Sequence, residues 1–258
     1  MKIRDKFWVW GHPKNSLYGN FGIKTPSNLS PAGGMEYLGA KNIFYVPMNL
    51  KVNESEFYEG IQKALRIGIA VEDFSERNKR LEHIISLSQQ YKNIHYTVFD
   101  DFFNEENKRG NYLNYSHEEL GRIKNYLKKS GLETFLVVYT KQFGNKEILK
   151  EYIRDFDCVS MWFWSESEVS DYENKIKEFL SLTEDKKRMI GLYLYNFGEE
   201  KSADEKTVLY ELEKLGEMLR QKLIEGVILH TNAVADADCK AADVARDWLE
   251  KYGDDILL

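Results

Sequence analysis

The chain has 258 residues with 36 Lys+Arg against 42 Asp+Glu, a formal net charge of −6, and hydrophobic residues make up 43% of it. That fraction supports a full core, and an aromatic content of 14% excludes a disordered chain. No stretch builds the cationic face that nucleic acid needs, and no apolar run approaches the ~20 residues of a bilayer span, so neither nucleic acid nor membrane is expected as a partner.

The segments alternate from one end to the other. The first apolar run is Lys6 to Trp10, and Ser30-Pro31 then offers a helix N-cap with Pro at the first helical position. Ile43 to Pro47 and Ile67 to Val71 follow, and Ser75 precedes a helical stripe over 76–90. Ile94 to Phe99 comes next, and after it the longest polar insertion, Asn104 to Asn114. Ser116-His117-Glu118-Glu119 is a capping box, in which a Ser hydroxyl and the Glu three residues on satisfy each other's backbone amides. Thr134 to Tyr139 precedes a helix over 146–154 that Asn145 is placed to cap. Cys158 to Trp164 and Met189 to Tyr195 are the sixth and seventh runs, and Ser202-Ala203-Asp204-Glu205 repeats the capping-box signature before a helix to Leu219. Gly226 to His230 is the eighth run, and a final helix over about 238–251 stops at Gly253.

Eight short runs rich in β-branched and aromatic residues, separated by helices, predict a single-domain (β/α)8 TIM barrel spanning 1–258, a fold that takes ~250 residues. The competing fold is a doubly wound open sheet. It usually carries a Gly-rich phosphate turn after its first strand, whereas Gly11-His12-Pro13-Lys14 stands there. The only cysteines, Cys158 and Cys239, exclude a disulfide scaffold and read as buried thiols. The start of the chain carries no apolar secretory segment, so a cytoplasmic protein is expected. No cofactor motif is present, and the sequence sets no oligomeric state.

Sites on this barrel form at the carboxyl ends of the strands. Side-chain alternation places Gly68 and Ala70 toward the axis with Glu72, and Ser160 and Trp162 with Trp164. It likewise places Trp8 and Trp10 with His12, and Tyr193 with Tyr195. His230 follows the phase of Ile228. In strand 4 the phase is ambiguous, and Asp101 is read as inward with Asp100 at the rim. The expected mouth comprises Trp10, His12, Asn49, Glu72, Asp73, Asp100, Asp101, Tyr139, Trp162, Trp164, Tyr195, Asn196 and His230. Flat rings stack on the apolar faces of sugars, and carboxylates, amides and imidazoles bind their hydroxyls. Glycoside cleavage also needs two carboxyl groups, one as acid and one as nucleophile or base. Mutual repulsion and partial burial raise one pKa of such a pair.

The segment Val98-Phe99-Asp100-Asp101-Phe102-Phe103 resembles the strand-4 end of glycoside-hydrolase-like barrels, whose motif reads Asp-Asp-Tyr/Phe-Phe. The resemblance covers this segment and the eight-strand plan, and it implies that Asp100 and Asp101 lie in a sugar site. The chain departs from better-known glycosidase patterns. Strand 7 ends Tyr195-Asn196 where a catalytic Glu is usual, and no D-x-x-D-x-D-x-E run occurs. Glu72, Asp73 and Glu166 are therefore candidates for the second carboxylate. The leading expectation is a glycosidase acting on an oligosaccharide, with Asp101 as acid or nucleophile, Asp100 or Glu72 as its partner, and Trp10 and Trp164 as platforms. A divalent-metal sugar isomerase, epimerase or aldolase using Glu72, Asp101 and His230 is one alternative, and a non-catalytic carbohydrate-binding barrel is another. Each residue also has a plainer reading: caps for the aspartates, ion-pair partners for Glu72 and Asp73, and core at the barrel top for the rings.

Overall fold

A computed structural model describes residues 1–47, 54–71, 77–103, 115–163 and 165–257. Eight parallel strands close into a barrel: β1 (Phe7–Gly11), β2 (Asn42–Tyr45), β3 (Arg66–Ala70), β4 (Ile94–Phe99), β5 (Glu133–Tyr139), β6 (Cys158–Trp162), β7 (Lys187–Tyr193) and β10 (Gly226–His230). Pairing of Trp8 with Ile228 and of Trp10 with His230 joins the first strand to the last. That closure rules out the open doubly wound sheet. The helices α1 (Pro31–Leu38), α2 (Glu54–Lys63), α3 (Arg77–Gln90), α4 (His117–Lys128), α5 (Lys146–Ile153), α6 (Tyr172–Leu182), α7 (Glu205–Arg220), α8 (Asn232–Ala235) and α9 (Lys240–Tyr252) complete the alternation.

The local signals act as their chemistry requires, with two exceptions. Ser30 Oγ accepts from Gly33 N at 3.0 Å with Pro31 opening α1, and Ser116 and Glu119 form the reciprocal box at the start of α4. The first exception is α7. Its cap is Asp204, which accepts from Thr207 N at 2.9 Å, while Ser202 is drawn into a two-stranded antiparallel ribbon, β8 (Tyr195–Asn196) with β9 (Lys201–Ser202). An ionised carboxylate next to the helix is the stronger acceptor for those amides. Asn145 stands at the cap position of α5, but its side chain makes no cap bond.

The strands bury both faces. Ile67, Ile69, Val71, Val159, Met161, Ile190 and Leu192 face the helices. The lumen holds Trp8, Trp10, Phe44, Tyr96, Val98, Phe135, Cys158, Trp162, Met189 and Ile228. Barrels of this kind usually fill their interior with branched aliphatics. Here rings do it: Trp8 stacks on Phe44 at 4.4 Å between centroids, Phe44 meets Phe135 at 4.6 Å, and Trp10 meets Trp162 edge-on at 5.4 Å. The space comes from two inward glycines. A Cβ on Gly68 would stand 2.3 Å from Phe44, and one on Gly191 would stand 2.0 Å from Trp162.

Gly191→Ala therefore forces Trp162 off its position. The expected result is a loss of about 3 kcal/mol in urea-unfolding stability, at the upper end of ordinary overpacking penalties. The same substitution at Gly121, where a Cβ meets nothing within 4 Å, is expected to be neutral or mildly stabilising.

Candidate functional site

The floor of the mouth is aromatic and centred on His230. Its ring lies 4.7 Å from Tyr193, 5.2 Å from Phe197, 5.4 Å from His12, 5.8 Å from Trp162 and 6.5 Å from Trp10, centroid to centroid. Trp10 and Trp162 are 3% and 2% exposed. Both belong to the packed floor, and Tyr139, Tyr193, Phe197 and His230 are the half-buried rings above them.

His12 is buried, with Nδ1 3.0 Å from the Val46 carbonyl. A carbonyl only accepts, so Nδ1 carries the hydrogen. Burial outweighs that bond and lowers the His12 pKa to about 4. Burial, and then His12 itself, push His230 well below the ordinary histidine value. Both imidazoles are neutral at pH 7. Asn232 fixes this corner: its amide donates to the His12 and Leu29 carbonyls, and its Oδ1 accepts from His12 N and from the Thr231 hydroxyl.

The acids sit across the mouth. Tyr96 and Val98 point into the lumen, and Asp100 continues their phase. The chain then turns through Asp101 in the left-handed region at φ +44°. The sequence expectation had Asp101 inward and Asp100 at the rim. The alternation instead favours Asp100, which is half-buried beside an exposed Asp101. The turn brings the two together, because the Tyr139 hydroxyl donates to Asp100 Oδ1 at 3.5 Å and to Asp101 Oδ1 at 3.4 Å. Burial, then the Asp100 charge, hold the Tyr139 hydroxyl far above the usual phenol range, and Tyr193 is raised in the same way. These phenols stay protonated and act as donors, never as bases. Lys141 Nζ lies 5.8 Å over the Tyr139 ring.

Two expected site residues lie elsewhere. β7 ends at Tyr193, and Leu194 N still donates to the His230 carbonyl, but Tyr195 then leaves the barrel for the ribbon. The Tyr195 ring packs in the outer core, and its hydroxyl donates to the Phe21 carbonyl at 2.8 Å. Asn196 is buried beside the mouth, donating to Glu166 Oε2 at 3.2 Å. Asn49, Glu72, Asp73 and Trp164 lie outside the described residues, so the Glu72–Asp101–His230 metal trio does too. Among the described residues no group of three or more His, Cys, Asp or Glu is placed to hold a metal ion. No helix among them is long and apolar enough to cross a membrane. Cys158 and Cys239 are both buried and free, as expected.

The sequence reading missed Glu168. It lies in the short 3-10 turn Glu166–Asp171 after β6, where the Thr140 hydroxyl donates to it at 2.7 Å and its charge helps raise Tyr193. Its only signal was an acid in a loop at the functional end of the barrel.

No protein-family model matches the chain, and no curated protein is similar to it in sequence. Solved structures share its fold. A Bacteroides thetaiotaomicron protein assigned as an alpha-L-fucosidase superposes with a TM-score of 0.66 at 8% identity, covering 98% of both chains. The catalytic domain of a Pyrococcus furiosus chitinase gives 0.58 at 11% identity over 98% of this chain and 97% of its own. Tryptophan synthase from M. tuberculosis gives 0.53 at 10% identity over 99% and 94%. The likeness is one of fold. The chain is a (β/α)8 barrel of a kind shared by glycoside hydrolases and by enzymes of other chemistry.

The depressed His12 pKa gives a test. The unfolded chain binds a proton at His12 near pH 6.5, and the folded chain only near 4. This stabilisation is complete above about pH 6.5 and is lost as pH falls toward 4. Glu211, whose pKa burial raises to about 8, changes stability in the opposite direction over part of this range. The clean readout is therefore the stability difference between wild type and His12→Gln. It is expected to shift by about 3 kcal/mol in favour of the variant between pH 7 and pH 4. A difference independent of pH would contradict a neutral buried His12.

Proposed function

We propose that this barrel is a glycoside-hydrolase-like protein that takes a neutral oligosaccharide at its carboxyl-end mouth, with Asp100 and Asp101 as the working carboxylates. The observation that carries this reading is the Tyr139 hydroxyl held between both aspartates, above a floor of indole and imidazole rings. A phenol that remains protonated can donate a hydrogen bond to whichever carboxylate is ionised. It can orient that group while the other exchanges a proton with the leaving oxygen. Neutral His12 and His230 add no positive charge for a phosphate, which supports a neutral sugar over a sugar phosphate. The fold neighbours include proteins described as a fucosidase and a chitinase, which agrees with a sugar ligand at the level of fold alone.

The shared hydroxyl also limits the pair. Two oxygens within 3.5 Å of one atom are at most about 7 Å apart. That ceiling accommodates the ~5 Å separation of retaining enzymes and only the short end of the inverting range of 6.5–9.5 Å. We propose retention, with one aspartate as nucleophile.

The test is hydrolysis of an aryl-glycoside and oligosaccharide panel, with the product anomer followed by NMR. Asp101→Asn and Asp100→Asn are each expected to cut kcat by about 10²–10⁴-fold with little change in oligosaccharide affinity. Tyr139→Phe is expected to cost less, and the first-formed anomer should match the substrate. Full activity in both Asn variants overturns the assignment of the carboxylates. Absence of both hydrolysis and binding across the panel overturns the sugar reading.

A further inference from the structure

A second cavity lies beside the mouth, between the connections that follow β6 and β7 and the inner face of α7. Its polar lining is Ser165, Glu166, Tyr193 (shared with the mouth), Asn196, Thr207 and Glu211, and its volume is about 30 Å³, room for about two water molecules. Every one of these side chains offers oxygen, and none of the lining residues is basic.

Glu211 is the anomaly. It stands on α7 among Val208, Leu212 and Leu215, the residues that pack that helix on the barrel, and it is only 6% exposed. Among the described residues it makes no hydrogen bond and no ion pair. A carboxyl at a core position without a partner is among the costliest placements a side chain can have. Glu166 lines the same space, and each of its carboxylate oxygens accepts one bond, Oε1 from Asp204 N at 2.8 Å and Oε2 from Asn196 Nδ2 at 3.2 Å. The nearby Tyr172 hydroxyl is likewise buried without a partner.

We propose that this cavity binds one Ca²⁺-type hard divalent cation through the carboxylates of Glu166 and Glu211, with the Asn196 Oδ1 and the Ser165 and Thr207 hydroxyls completing an all-oxygen set. Two carboxylates match one divalent charge, and an oxygen-only lining selects a hard ion over zinc or copper. The volume separates calcium from magnesium. Mg²⁺ usually keeps several waters in a strict octahedron, whereas Ca²⁺ accepts irregular sets supplied mostly by protein. A space for about two waters favours the second. The bound ion would tie the connection after β6, which carries Glu168, to the segment after β7, which follows Tyr193. It would thereby stiffen one wall of the mouth.

The experiment is calorimetric titration of CaCl₂, and separately of MgCl₂, into the full chain after EDTA treatment and buffer exchange. One Ca²⁺ per chain is expected, with Mg²⁺ at least 10-fold weaker, accompanied by a rise in Tm. Glu211→Gln and Glu166→Gln are each expected to weaken Ca²⁺ binding at least 10-fold, while Asp101→Asn leaves it unchanged, which separates this site from the proposed sugar site. Circular dichroism checks that each variant folds, and Glu166→Gln, at a half-buried position, decides the matter if Glu211→Gln does not. No stoichiometric Ca²⁺ binding by the stripped chain, or unaltered binding in a folded Gln variant, overturns the proposal. Loss of binding in Asp101→Asn would place the ion in the mouth instead, and overturns it too.

Discussion

The packing of rings into the barrel lumen, made possible by Gly68 and Gly191, is the constraint on which the rest of this molecule depends. Phe44 and Trp162 each occupy the volume that a single Cβ on the neighbouring strand would remove. Trp162 then meets Trp10 edge-on, and both contact His230. The floor of the mouth is thus continuous with the core beneath it. Interiors packed to crystal density transmit displacements rather than absorb them. The position of the imidazole, and of Tyr193 against it, thus depends on the glycines that make room for these rings.

The same packing governs the charge at the mouth. Desolvation at buried His12 and half-buried His230 keeps both imidazoles neutral. It also keeps the protons on the half-buried Tyr139 and Tyr193 phenols. The acids stand at the upper edge, with Asp101 exposed and Asp100 and Glu168 half-buried. A buried neutral floor of donors below a charged acidic rim suits a ligand with apolar faces and many hydroxyls. The Asn232 amide, with bonds to the turn after β1 and to the segment before α1, joins the first and last strands at the point where this arrangement is assembled.

Much of the barrel was legible because burial on two faces writes a dense apolar run for each strand. Ile94–Phe99 and Gly226–His230 agree with the sequence reading at both ends. The lumen phases of Trp8, Trp10, Gly68, Trp162 and Tyr193 were also readable, since alternation is strict where both faces are packed. Legibility failed where the chain leaves the ladder. Tyr195 lies in phase with Tyr193 but beyond the last barrel pairing, so alternation misassigned it to the mouth. The aspartates were misordered because Tyr96 and Thr97 left the phase of strand 4 ambiguous in the sequence; with Tyr96 and Val98 in the lumen, alternation favours Asp100. Ser202 matched a capping box, yet the neighbouring Asp204 was the better acceptor. Glu211 was invisible: on a helix a lone Glu reads as a solvated face, and only the fold turns that face inward. Most of the described rings are structural, packed in the lumen or in the outer core between strands and helices, and among the described residues Tyr139, Tyr193, Phe197 and His230 are those at the mouth.

The central claim is that a sugar sits on this floor against the Asp100–Asp101 pair. A crystal structure of the Asp101→Asn variant soaked with the oligosaccharide that binds it best tests this most directly. The account predicts a sugar ring over His230 and Tyr193 with a glycosidic oxygen within hydrogen-bonding reach of position 100 or 101. A sugar bound only elsewhere on the barrel, with the Tyr139 hydroxyl still shared between residues 100 and 101 and no ligand atom near them, would contradict it.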